Sequence, residues 1–92
     1  MLGRLSDKSR VSWVSVEILN AWDDNNATLE VGDISNNNRF MQSYLNDLTT
    51  IDTYAYNPSF QYSTGGLETE VLVYLDSMTS TKGQARITIT YT

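Results

Sequence analysis

Histidine and cysteine are both absent from this 92-residue chain. Without His the commonest general base is missing, and without either residue the serine and cysteine triads and the usual zinc sites are excluded together. The lack of Cys also rules out a disulfide framework, so the core must stand without covalent staples. Proline occurs once, at position 58, and Gly five times. Basic residues are scarce: 6 Lys+Arg face 11 Asp+Glu, for a net charge of −5. A nucleic-acid surface needs many Lys and Arg contacts to phosphates, so that partner is not expected. Nor does any stretch approach the roughly 18 consecutive apolar residues of a membrane-spanning helix. Residues 1–8 scatter charge and contain no apolar run of the signal-peptide type, which reads as a soluble chain made in the cytosol. Charged residues are 18% of the chain, below the usual ~25%, and Asn, Ser and Thr fill the deficit.

What is present is β-patterning. In residues 67–76, Leu67, Thr69, Val71, Val73 and Leu75 share one parity, with Leu72 the aliphatic residue out of step. In residues 84–92, Ala85, Ile87, Ile89 and Tyr91 alternate with Gln84, Arg86, Thr88 and Thr90. A period of two sustained that long predicts half-buried strands. The polar connection 77–83 between them predicts an antiparallel hairpin with a longer loop. Residues 10–20 are strand-like with a change of phase: Val11 and Trp13 lie on one parity, Val14, Val16 and Ile18 on the other. Either a bulge lies near Trp13 and Val14, or Trp13 packs on the opposite face. Asp23-Asp24-Asn25-Asn26 ends that strand, and Ala27, Leu29 and Val31 predict a second, closed by Gly32-Asp33. Residues 39–48 place Phe40, Met41, Tyr44, Leu45 and Leu48 at helix-like spacing. They read as irregular chain with at most one helical turn, capped by Ser43 or Asn38. Period two returns over 49–57, Pro58 interrupts, and 60–62 is a further short strand.

Five to seven short strands separated by turn signals predict an all-β fold, an antiparallel β-sandwich with jelly-roll-like winding. The expected core is Val14, Val16, Ile18, Leu29, Val31, Val71, Val73, Leu75, Ile87 and Ile89. Residues 10–92 form the single sandwich domain, and residues 1–9 an N-terminal arm. That arm is either mobile or docked on a neighbouring subunit through Leu2 and Leu5. A domain of this size buries only about 60–65% of its unfolded surface, so assembly with other chains is the remaining route to added stability.

Any active site here would have to be built from carboxylates. Adjacent Asp23 and Asp24 point opposite ways in extended chain, whereas a glycosidase needs two carboxyls facing one cleft at about 5–9 Å. The sequence therefore predicts no enzyme, no metal and no cofactor. Turn chemistry accounts for the Asp23-Asp24-Asn25-Asn26 run without Ca²⁺, because it lacks the Gly and terminal Glu of an EF-hand loop. A pair of carboxylates drawn from Asp23, Asp24, Asp33, Asp47 and Asp52 in one pocket would reverse this expectation. Most of the aromatic residues are assigned to packing. A platform for sugar stacking would instead bring two or three of Trp22, Tyr54, Tyr56 and Tyr62 to the surface. The candidate partner or subunit interface is Leu2, Leu5, Val11, Trp13, Tyr54, Tyr56 and Tyr62.

Several stretches carry a resemblance. They are Val16-Glu17-Ile18, Ala21-Trp22-Asp23-Asp24, Ala27-Thr28-Leu29-Glu30-Val31-Gly32-Asp33, Arg39-Phe40-Met41, Leu48-Thr49-Thr50 with Tyr54 and Pro58, residues 70–75, and Gly83-Gln84-Ala85-Arg86-Ile87-Thr88-Ile89-Thr90-Tyr91. In their order and spacing the chain resembles a family of small β-sandwich proteins and modules of tailed bacteriophages, and departs from it in the aromatic segment 54–62. The resemblance implies a virion structural protein: a decoration or cement protein on the capsid, with a head fibre, tail fibre, spike or carbohydrate-binding module as the alternative. It also implies a symmetric homo-oligomer, most often a trimer, partnered by the major capsid protein or another virion protein.

Overall fold

The long alternating stretch after residue 9 becomes the strand β2 (Arg10–Asn20), the axis of one of two antiparallel sheets in the computed structural model, which describes residues 2–92. Its inward side chains Val14, Val16 and Ile18 are fully buried, as their shared parity requires. Val11 is also fully buried although its parity is odd. The phase change is a bulge: the register with the C-terminal strand β7 (Gln84–Tyr91) shifts between Val11 and Trp13. One extra residue there turns Val11 inward and leaves Trp13 on the outer face, 49% exposed. On the other side of β2 lie β4 (Thr53–Tyr56), opposite Val14–Glu17, and β5 (Phe60–Gln61), opposite Arg10 and Val11. Pro58 separates these two short strands.

The second sheet has the order β1 (Gly3–Leu5), β6 (Thr69–Asp76), β3 (Thr28–Gly32). Its inward residues Leu5, Val71, Leu29 and Val31 meet Val11, Val14, Val16 and Ile18 of the first sheet in one apolar cluster. Among the described residues every strand connection except β4 to β5 passes from one sheet to the other, which gives the jelly-roll-like winding. Residues 39–48 contain a single 3-10 turn, Ser43–Leu45. The residue before that turn is Gln42, with no side-chain cap, so neither Ser43 nor Asn38 caps it. Phe40 and Met41 belong to no helical face. Met41 bridges Val31 at the free edge of β3, and both side chains are buried.

Three sequence expectations change. The 67–76 and 84–92 segments do not pair with each other: β6 pairs with β1 and β3, and β7 with β2. Seven connecting residues without a tight-turn dipeptide impose no hairpin, and they are long enough to cross the ~10 Å between sheets. The indole of Trp22 fills the space beside that connection, against Gly83 at φ 154, where any Cβ would run into the ring. Second, the core is displaced from where alternation put it. Val73, Ile87 and Ile89 are only half-buried and Leu75 is 50% exposed, while Leu5, Val11, Trp22, Phe40, Met41, Leu48 and Tyr62 are buried instead.

Third, residues 2–9 are part of the sandwich rather than an arm; Met1 lies outside the described residues. Gly3, Arg4 and Leu5 pair with Val71, Glu70 and Thr69. The Lys8 amide donates to the Tyr62 carbonyl at 3.1 Å, the Tyr62 amide to the Ser9 carbonyl at 2.9 Å, and Leu5 is buried. The Asp7 carboxylate accepts from the Thr64 and Gly66 amides at 2.7 and 3.0 Å, tying down the turn before β6. Removing residues 1–9 is therefore expected to cost about 2–3 kcal/mol, chiefly the lost burial of Leu5 and of the Val71 it covers. A lowered midpoint in thermal or urea unfolding of the truncated chain checks this; an unchanged midpoint refutes it.

Candidate functional site

The most elaborate polar arrangement in the molecule grows from the turn that ends β3. Gly32 lies where the chain folds back over itself, so close that a Cβ there would collide with the carbonyl oxygen of Asn36. Asp33 follows, 2% exposed. Its Oδ1 accepts from the Ser35 and Asn36 amides at 3.0 and 2.9 Å, the pattern of an Asx turn. Its Oδ2 accepts from Arg39 Nε and from the Tyr62 hydroxyl, both at 2.6 Å. The Tyr74 hydroxyl donates to the Asp33 carbonyl at 2.9 Å. The Arg39 guanidinium carbon also lies 4.6 Å from the centre of the Phe60 ring, so the cation is held between a carboxylate and an aromatic face.

Burial alone would push the Asp33 carboxyl up, but the Tyr62 hydroxyl, the Arg39 guanidinium and the Asn36 amide together hold it below the ordinary carboxylate value. Burial first, and the Asp33 carboxylate second, push the Tyr62 phenol up, so it remains a protonated donor. Asp33, Arg39, Phe60 and Tyr62 line a cleft of about 270 Å³. Both carboxylate oxygens already have two donors each, and the group stays ionised. It clips the 33–39 turn to Tyr62, just after β5, and holds Arg39 over Phe60 of β5.

The other carboxylates named from the sequence are dispersed among separate turns. Asp23 accepts from the Thr81 amide and hydroxyl at 2.9 and 2.7 Å, and Asp24 from the Thr79 amide and the Asn26 amide at 3.0 and 2.8 Å. Together they fasten the 77–83 connection, and the Thr81 and Thr79 hydroxyls are the largest causes that hold these carboxyls below their ordinary value. Asp47 accepts from Thr49 and Thr50 within its own turn, and Asp52 from the Thr53 amide. No group of three or more metal-ligating side chains occurs among the described residues.

The seven candidate interface residues separate into two sets. Leu5, Val11 and Tyr62 are buried within the chain and belong to its core cluster, although Leu5 also borders a groove at the flank. Leu2, Trp13 and Tyr56 are exposed, and Tyr54 is half-buried. Trp13 lies on the outer face of the β2 sheet, whereas Tyr54 and Tyr56 pair with Val16 and Val14 on β4. With Trp22 and Tyr62 both buried, the alternative of a sugar platform keeps only Tyr54 and Tyr56.

A surface the sequence reading did not single out lies between the free edges of the two sheets. Leu2, Leu5, Val71, Ile87, Ile89 and Tyr91 line a groove of about 290 Å³ there, with strands β1 and β7 as its two banks. β1 covers only residues 69–71 of β6, and beyond it Val73 and Leu75 continue the same apolar strip. This is the side of the sandwich that the described residues leave open.

Comparison of the chain with protein-family models, with curated proteins and with solved structures finds no match. The class is therefore set by the fold itself, an antiparallel all-β sandwich with one open apolar flank.

Proposed function

We propose that this protein is a non-catalytic structural component of a phage particle, which decorates or cements the outside of the capsid as a symmetric homo-oligomer. The observation that carries the assembly part of this reading is the open flank. Val73, Leu75, Ile87, Ile89 and Tyr91 belong by parity to the inside of the sandwich, yet all retain solvent exposure, and among the described residues no strand closes the groove between β1 and β7. Apolar surface left open beside a free strand edge is a site for another chain. A ring of three, the state implied by the resemblance, and a two-fold pair each close such an edge.

The virion setting comes from the resemblance, and the dispersal of the candidate carboxylates among separate turns supports a role without catalysis. The net charge of −5 supports protein rather than nucleic-acid partners, with the major capsid protein as the one implied. The carbohydrate-binding alternative is weakened by the burial of Trp22 and Tyr62. Purified protein is expected to bind phage capsids that lack it and to appear as regular density on their outer surface. Purified protein that stays off such capsids, and is missing from intact virions, would overturn the proposal.

A further inference from the structure

Among the described residues the strand edges that border the two sheets differ: one is occupied and the others, β7 apart, are short or interrupted. The edge of β3 is occupied: the Phe40 and Met41 amides donate to the Val31 carbonyl at 2.9 and 3.0 Å, Val31 donates back to Met41 at 3.0 Å, and Asn46 Nδ2 caps the Leu29 carbonyl at 2.9 Å. The β4 and β5 edge is broken into four and two residues around Pro58, and β1 is three residues long. β7 alone offers eight continuous residues without Pro or Gly. Natural edge strands are protected by Lys, Pro, bulges or covering loops, and β7 has none of these devices on its free side. Its single charge, Arg86, is drawn toward Glu17 of β2 at 3.5 Å.

The sequence of β7 specifies what fits there. Folded antiparallel about Thr88, it pairs with itself: Ile87 with Ile89, Arg86 with Thr90, and small Ala85 with large Tyr91. Thr against Thr and Ile against Ile are favourable cross-strand pairs. The two copies of Arg86 fall about 14 Å apart along the strands, beyond a Debye length at physiological salt. Charge also selects this face. Two chains of −5 repel, but Arg86 of β7 and Arg4 of β1, on the two banks of the groove, each pair with an acid of the same chain, Glu17 and Glu70, at 3.5 Å. The inward side chains Ile87 and Ile89, half-buried in one chain, gain cover from the same residues of the other.

We infer that the occupant of the open flank is a second copy of this chain, joined by antiparallel β7-to-β7 pairing about a two-fold axis at Thr88, so that the β2 sheets of two subunits become one continuous sheet. This rests on the proposed role as a homo-oligomer and names the contact, a two-fold pair in place of the implied ring of three.

Because the chain has no Cys, a single introduced thiol reads the register directly. Thr88→Cys places two thiols opposite each other with Cβ atoms about 4.5–5.5 Å apart, close enough for a disulfide, whereas Thr90→Cys does not meet itself. Under mild oxidation Thr88→Cys is expected to give a covalent dimer and Thr90→Cys to remain largely uncrosslinked. Thr88→Lys, on the exposed outer face, is expected to keep the wild-type circular dichroism spectrum and to weaken self-association in sedimentation by about tenfold or more. Wild-type protein that sediments as a monomer overturns the inference, and so does an oligomer in which Thr88→Cys fails to crosslink. A crosslinked dimer that does not bind capsids leaves the pairing standing and removes the virion role instead.

Discussion

Asp33→Ala is expected to cost about 3–5 kcal/mol of folding stability, a large share of the ~5–15 kcal/mol typical of a natural domain. Removing the carboxylate leaves the Tyr62 hydroxyl without its acceptor in the core and the Arg39 guanidinium without its counter-ion. It also frees the Ser35 and Asn36 amides that hold the turn. Urea unfolding should show the midpoint falling accordingly, and a loss under about 1 kcal/mol would refute the clip. The pH dependence gives an independent check. The carboxyl is held below its ordinary value of 3.8 in the folded chain, so the unfolded chain binds the proton first as pH falls. The stability Asp33 contributes is then fully present above that value and disappears as pH drops through the folded value. The gap between wild type and Asp33→Ala should be widest at neutral pH and narrow below pH 4. Asp7, Asp23, Asp24 and Asp47 are also held low, the first three chiefly by donors from distant turns and Asp47 by Thr49 in its own turn, and act in the same direction, so the protein as a whole should be acid-labile.

Periodicity made the sandwich legible because alternation is a local property. Val14, Val16 and Ile18 face inward wherever β2 pairs, and the phase jump at Val11 could be read as a bulge without knowing its partner. Pairing is not local. Nothing in Val71-Leu72-Val73 distinguishes a strand that pairs with residues 84–92 from one that pairs with residues 3–5 and 28–32, so the expected hairpin was replaced by a crossing between sheets. The same limit hid β1, because three residues, Gly3-Arg4-Leu5, show no period. The Asp33 clip was half-visible. Asp33-Ile34-Ser35-Asn36 signals an Asx turn, but its other donors come from Arg39, Tyr62 and Tyr74, up to forty-one residues away. Residues 39–48 are irregular with one helical turn, as expected, but Phe40 and Met41 were missing from the expected core, since adjacent buried side chains fit a helix or a bridge at a sheet edge equally well by spacing.

Phe40→Ala is expected to cost a comparable ~3–5 kcal/mol by a different route. Phe40 is fully buried, and its ring meets those of Phe60 and Tyr62 edge-on, each at 6.0 Å between centres. Truncation removes that apolar area and leaves a void that a chain of ninety-two residues has little slack to fill. No titrating group is lost, so the gap from wild type should narrow between pH 7 and pH 3 only by as much as Phe40 and Asp33 are coupled through Tyr62, and less than that of Asp33→Ala. Phe40→Leu, which keeps most of the volume, should recover much of the loss. The two sites are also coupled: Tyr62 is held by Asp33 through its hydroxyl and by Phe40 through its ring. Whichever substitution comes first loosens Tyr62 and the 33–41 segment for the second. Asp33→Ala with Phe40→Ala should therefore cost less than the sum of the two, by about 0.5–3 kcal/mol, measured as a double-mutant cycle in urea. Strict additivity would mean that ring packing and carboxylate clip act independently, and that Tyr62 does not join them.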